Sequence, residues 1–411
     1  MTLYTFAELI AELFDNPLTL DEARLAPQFF TRIRKMPFSS LLRLLLCGGK
    51  GSAQAELNRF FQNRGDEIHM TQQALSKARN HMNHTPFQKA FYATVAAEYN
   101  TRMNSALMRR YGYKFIAIDG SIIPLPNLPA LGEEFGTVNG SPSARASIAN
   151  DVLNDRIIEA EFEPLSYDER TLALMHIQKL SSRMVMSDTV FLFDRGYAST
   201  DMIQAILAVQ AHYIMRVRRK FNVAVDAAPM GSSYVTLDGG IRVRVVKFLL
   251  PSGEVETLIT DLFDMEEGLF KEIYFLRWPV ETKFDIVKCK LELPNFTGFS
   301  ANILRQDFWI SMLLANAVSV AKSEADKEIR KKREGKENRY EYQMNVNIAV
   351  AAMRNRFADA VLCANPVERR LRINKILEEV SASVVPVRPD RNIPRNPARN
   401  VRFHHNKKSN V

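Results

Sequence analysis

Two apolar runs constrain this chain more than any other feature. YKFIAIDGSIIPLP (113–126) is a β-run that ends at Asp119 and is followed at once by Gly120. TVFLFDRGYAS (189–199) is a second, fully apolar run that ends on Asp194. Runs this short and this uniformly apolar fit strands buried on both faces. Around them, RIIEAEFEPL (156–165) alternates like a strand, DERTLALMHIQKLSS (168–182) has helical spacing, and a helix over 200–210 precedes the strand HYIMRVRR (212–219). Strands alternating with helices predict an α/β domain built on a largely buried sheet. Strand ends at the sheet edge are where such folds keep their chemistry.

The texture differs on either side. Residues 1–108 read as helices. In TQQALSKARNHM (71–82), Thr71 is the expected N-cap. Ala74, Leu75, Ala78 and Met82 form an apolar face, opposite Gln72, Gln73, Ser76, Lys77, Arg79 and Asn80. Small polar and basic residues on an outward face suit a helix laid in a DNA major groove, with Gln73, Lys77 and Arg79 as contacts; a plain surface helix has the same pattern. Residues 222–265 break the α/β alternation and read as β-hairpins turning at DGG and PSG. There Arg242 and Arg244 share a strand face by the period of two, as Arg216 and Arg218 do on the preceding strand, giving a basic surface for DNA. Helices return over 301–380, with a charged linker at 322–339. The divisions are therefore 1–108, 109–221, 222–265, 266–325, 326–386 and 387–411.

Charge narrows the partners. The chain carries +9 overall, but Arg388–Val411 alone holds seven basic residues against Asp390, so +6 sits in the tail and +3 on the rest. The tail reads as a disordered arm for a polyanion, a composition that a merely solubilising tail shares, and any nucleic-acid surface on the body is a local patch. Cys47, Cys289 and Cys363 have no paired spacing, which argues against a zinc site or a disulfide framework. The N-terminal stretch carries Glu8, Glu12 and Asp15 without a basic leader, and LLRLLLC is far too short to span a bilayer. The expectation is a soluble intracellular protein with no membrane role.

One stretch ties these observations to chemistry. In YFLRWPVETKFDIVK (274–288), Tyr274, Arg277, Glu281 and Lys288 fall within a sector roughly 60° wide if the segment is one helix. Pro279 leaves two possibilities: a kinked helix, or a helix that begins at Trp278 with Pro279 in its first turn. Glu281 and Lys288 are seven residues apart, too far for an ordinary i, i+4 pair. Asp119, Asp194 and Glu281 each have a bland reading as a turn or capping residue. Together, with no His or Cys cluster beside them, three carboxylates from two strand ends and a helix would repel unless divalent cations held them, and Mg²⁺ favours such oxygen ligands.

Tyr-x2-Arg-x3-Glu-x6-Lys resembles, at every position, the YREK motif of IS4-type DDE transposases. The likeness extends to FIAIDGS, FDRGY and TQQALSKAR, and covers roughly 50–320. It implies an RNase H-like catalytic domain with a β-rich insertion, preceded by a helical DNA-binding domain and followed by C-terminal helices. It implies that Asp119 bridges two Mg²⁺ ions (Mn²⁺ able to substitute), that Asp194 and Glu281 hold one each, and that Tyr274, Arg277 and Lys288 grip DNA phosphates. Some members carry a tryptophan that holds a flipped base where this chain has Glu256 and Thr257. The partners implied are double-stranded DNA, both the terminal inverted repeats of an insertion sequence and the target, and a second copy of the chain. The setting implied is a prokaryotic cytoplasm, at the nucleoid. Two alternatives share these residues: a transposase-derived DNA-binding regulator without catalysis, and an RNase H-like nuclease that cuts without joining.

Overall fold

The computed structural model describes residues 1–31, 36–47, 52–62, 70–99, 107–336 and 339–388; the basic tail beyond Arg388 lies outside them. The chain divides into two units, Met1–Ala97 with Leu125–Leu131 and Ile286–Val411, and Glu98–Pro124 with Gly132–Asp285.

The first unit is mainly helical and built on Ala301–Arg333, whose N-cap Ser300 accepts from the Ile303 amide. Every residue of this helix from Gln306 to Ala321 is buried, as expected of a helix surrounded on all sides. The helix does not give way to a linker at 322 but runs on to Arg333. Its charges have partners there: Lys322 pairs with Asp326 at 2.5 Å, Asp326 accepts from the Met344 amide at 2.8 Å, and Glu324 accepts from the Leu3 amide. Basic residues fill its last turn, where they complement the helix dipole.

The helix Gln72–Arg79 starts at Thr71, whose side chain accepts from the Ala74 amide, and Gln73 and Lys77 are exposed. Arg79 departs from expectation. It is 4% exposed, paired with Asp307 at 2.8 Å and donating to Gln306 Oε1 at 3.1 Å. Those partners lie more than 200 residues away in sequence, and an arginine at the end of a polar face looks identical with or without them.

The second unit is a mixed α/β layer structure. Strands β1 (Lys114–Pro124), β2 (Thr137–Val138), β3 (Ser141–Asp151), β4 (Arg156–Glu163), β5 (Thr189–Phe193), β6 (His212–Arg216), β7 (Gly231–Thr236), β8 (Arg242–Leu249) and β9 (Val255–Thr260) form one sheet in the order β2-β3-β1-β5-β6-β9-β8-β7, with β4 paired to β3. β1, β5 and β6 are mutually parallel, and β3 and β4 join them antiparallel. The helix Glu169–Ser181 covers β1, β3 and β4, capped by Asp168 accepting from the Thr171 amide. The residues from 222 to 265 form hairpins, yet they are no separate body: β9 pairs antiparallel with β6 and prolongs the sheet.

On β8, Arg242 is exposed, with its guanidinium 5.1 Å from the Tyr234 ring centre. Arg244 shares that strand face, as the period of two requires, but it is covered there. It is 5% exposed, donates to Ser232 Oγ at 2.7 Å and to the carbonyls of Leu262 and Phe263 at 3.2 and 3.0 Å, and lies over the Phe270 ring. It fastens the hairpin to the segment that follows β9, where a DNA phosphate cannot reach it.

Candidate active site

The parallel register between β1 and β5 ends at Ala117↔Leu192. Asp119 and Asp194 both stand two residues further on, level with each other on neighbouring strands that run about 4.8 Å apart. Register continues to β6, where Phe193 pairs with Met215, so Arg216 is level with Asp194. The strand does not stop at Asp119, as its Gly120 suggested. β1 leaves β5 there but stays paired to β3 as far as Pro124, and its full burial ends at Ile118. Asp119 thus sits in mid-strand at the parallel edge.

Pro279 starts a helix. Leu269–Phe275 ends before it, Leu276 and Arg277 form a turn, and Trp278–Asp285 follows. Proline sits second, where a missing amide hydrogen has no helical partner to lose. Tyr274 and Arg277 therefore precede the helix of Glu281 rather than sharing its face. Arg277 still turns back to donate to Glu281 Oε1 at 2.8 Å, and the helix bearing Glu281 packs against β1. Lys288, half-buried, follows in the π-helical turn Ile286–Lys290 and belongs to the first unit.

Arg277 is the charge that all three acids share. It is 5% exposed, and it acts on Asp119, on Asp194 and on Glu281. Burial pushes the Asp119 carboxyl up to about 6; the Gly120 amide and Arg277 oppose this, while the charges of Glu281 and Glu169 add to it. Asp194 Oδ1 is buried without a hydrogen-bond partner, its nearest cation being Arg216 at 3.7 Å. Arg216 is committed elsewhere, to Glu256 at 2.6 Å, so it belongs to this edge rather than to a separate basic surface. The Tyr274 hydroxyl is buried without a hydrogen bond, and burial raises its pKa.

Three further residues build this edge, and two of them, Glu169 and Glu256, carry no motif signal. Glu169 pairs with Arg145 at 3.2 Å. Tyr197, of the DRGY run, is buried on Phe193 with ring centres 5.2 Å apart. Glu256 is 5% exposed beneath Arg216. The available signs were indirect: a glutamate just after a helix cap, and a glycine following each aspartate.

The carboxylate oxygens at this edge are a donor set suited to Mg²⁺ or Mn²⁺. A desolvated Asp119 beside further acids, with an orphaned oxygen on Asp194, is a site short of positive charge. The residues fit a divalent cation. Among the described residues, one group of three potential ligands has all its atoms within 4.8 Å of one another, and it is a different one: Glu159, Glu161 and His176. Asp119, Asp194 and Glu281 are spread more widely around Arg277.

The transposase DDE domain family profile matches residues 110–317, just over half of the chain. No curated protein matches it. Among solved structures, the cryo-EM structure of piggyBac transposase synaptic complex with hairpin DNA is similar at 11% identity and a TM-score of 0.49, over 90% of this chain and 85% of that one. Among the described residues, no helix is long and apolar enough to cross a membrane. The family match spans both aspartates, the added hairpins and Glu281, and by it the chain belongs to the DDE transposases, a family of polynucleotidyl transferases and endonucleases.

Proposed function

We propose that the chain is an IS4-type member of this family that cleaves DNA at the ends of an insertion sequence and joins those ends to target DNA, with Mg²⁺ held by Asp119, Asp194 and Glu281. The reading rests on one observation. The two aspartates stand level with each other just beyond the point where the pairing of adjacent parallel strands ends, and the helix of Glu281 packs against the first of these strands. When bound, the cations lower the pKa of a water or 3′-hydroxyl nucleophile and offset charge on the leaving oxygen. Arg277 and Lys288 bind DNA phosphates and stabilise the charge that builds during transfer. Tyr274, whose hydroxyl has no partner of its own, orients one of those phosphates.

Gln73 and Lys77 remain the N-terminal candidates for contacts to the terminal repeats, and Arg242 the candidate on the hairpins. Two ends must meet for transposition, so the active form is a DNA-bound homodimer. The test uses linear DNA carrying one element end, a target plasmid and Mg²⁺. Asp119→Ala, Asp194→Ala and Glu281→Ala are each expected to abolish cleavage while still shifting the DNA in a gel. Cleavage surviving in any one of them removes that residue from the site. Cleavage by the native chain without joined product would make it a nuclease.

A further inference from the structure

Each aspartate of the site has a glycine close behind it, Gly120 after Asp119 and Gly196 after Asp194. Neither glycine has a left-handed φ, so the backbone does not require it; what it provides is room. A Cβ on Gly120 would stand 3.0 Å from Glu169 Cγ, 3.4 Å from its carboxyl carbon and 3.5 Å from Oε1, and a Cβ on Gly196 would stand 3.9 Å from Oε2. The Glu169 carboxyl group therefore fills a niche between the two segments that carry the aspartates. It is anchored there by two features. Glu169 opens the helix Glu169–Ser181 behind its Asp168 cap, and Oε1 is 3.2 Å from an Arg145 guanidinium nitrogen. Its negative charge is felt at Asp119 and at Tyr197.

A carboxylate is costly to bring beside other carboxylates without a compensating cation. Arg145 meets one oxygen; the other faces Gly196 and the Asp194 turn. We propose that Glu169 is a fourth metal-ligating carboxylate of this site, holding a divalent cation together with Asp119. The inference rests on the proposed function above and adds a residue that neither the YREK motif nor the DDE triad contains.

Mn²⁺ binding to the full chain without DNA, followed by the EPR signal of the free ion, tests it. Glu169→Gln keeps the side-chain shape and a hydrogen bond to Arg145, and its folding is checked by circular dichroism. Loss of a ligand is expected to weaken at least one Mn²⁺ by about tenfold or more, a change no smaller than those seen when supporting groups around metals are removed. Glu169→Asp, which withdraws the carboxylate by one methylene, is expected to weaken the same ion. Wild-type affinity and stoichiometry in both variants, with binding lost in Asp119→Asn, would make Glu169 only the partner of Arg145 and overturn the proposal. Wild-type binding in Asp119→Asn as well would instead overturn the reading of the site itself.

Discussion

Glu159 and Glu161, on β4, are 0% and 5% exposed, more deeply buried than Asp194 or Glu281, whose side chains are 36% and 33% exposed. Yet each buried glutamate faces a cation, Arg183 at 2.5 Å from Glu159 and Lys179 against Glu161. His176 beside them is held neutral by burial, its pKa lowered to about 3, and its Nε2 lies 2.9 Å from Ser147 Oγ. This group has the tighter geometry for a metal and the weaker need for one. At the parallel edge the balance is reversed: Asp119, Glu169, Asp194, Glu256 and Glu281 lie near Arg145, Arg216 and Arg277, and Asp194 keeps an oxygen with no hydrogen bond. Proximity of ligand atoms alone favours Glu159, Glu161 and His176. Unmet charge favours the parallel edge, and the family match spans both groups.

The contrast can be broken most forcefully at Asp119. Asp119→Ala is expected to lower Mg²⁺-dependent cleavage by about a thousandfold, the several kcal/mol that metal-assisted charge stabilisation supplies. The matching change at the other group, Glu161→Gln, is expected to leave the cleavage rate of the folded protein within about twofold, since no transition-state interaction is removed; both are read in the same gel assay. Arg183→Met separates the groups by stability. It withdraws a guanidinium from the fully buried Glu159, and urea unfolding is expected to show a loss of about 3 kcal/mol, with Mn²⁺ affinity unchanged.

Asp119→Asn is expected to do the opposite. The folded protein holds the Asp119 proton up to about pH 6, while the unfolded chain releases it near 3.8. Ionised Asp119 therefore opposes folding fully above pH 6, and this opposition disappears as pH falls towards 4. Unfolding in EDTA at pH 7.5 should show the variant more stable by about 3 kcal/mol, with the gain gone by pH 4. Mn²⁺ affinity of the native chain should weaken as pH drops through 6, because protons compete with the cation for the Asp119 carboxylate. The smallest effect belongs to Ser147, which joins the two groups by accepting from His176 and donating to the Asp119 carbonyl at 3.2 Å. Ser147→Ala is expected to cost about 1 kcal/mol in urea unfolding.

Sequence pattern carried the parts of this fold whose causes are local. FIAI and FLF are strands because uniformly apolar runs of that length have nowhere else to go, and Thr71, Asp168 and Pro279 mark helix starts through their own side chains or ring. β3 was not legible. SPSARASIAND is made of small and polar residues, and it is a central strand because Ala144, Ala146 and Ala149 leave room for what packs over them. Arginines that look alike in the sequence differ in the fold. Arg79 and Arg244 are interior struts, Arg277 is the hub of the acidic edge, and Arg218 and Arg242 stay exposed. Period and spacing say which face a residue shares, but not whether a partner from far along the chain waits there. Glu169 was missed for the same reason: its neighbours are the glycines beside two aspartates remote in sequence.

Crystals grown with Mn²⁺ and measured for anomalous scattering would separate the two acidic groups directly. The charge balance predicts density about 2.2 Å from oxygens of Asp119 and at least one of Asp194, Glu281 and Glu169, a normal Mn²⁺–carboxylate distance, and none among Glu159, Glu161 and His176. Density at the second group, with the first bare, would contradict the account.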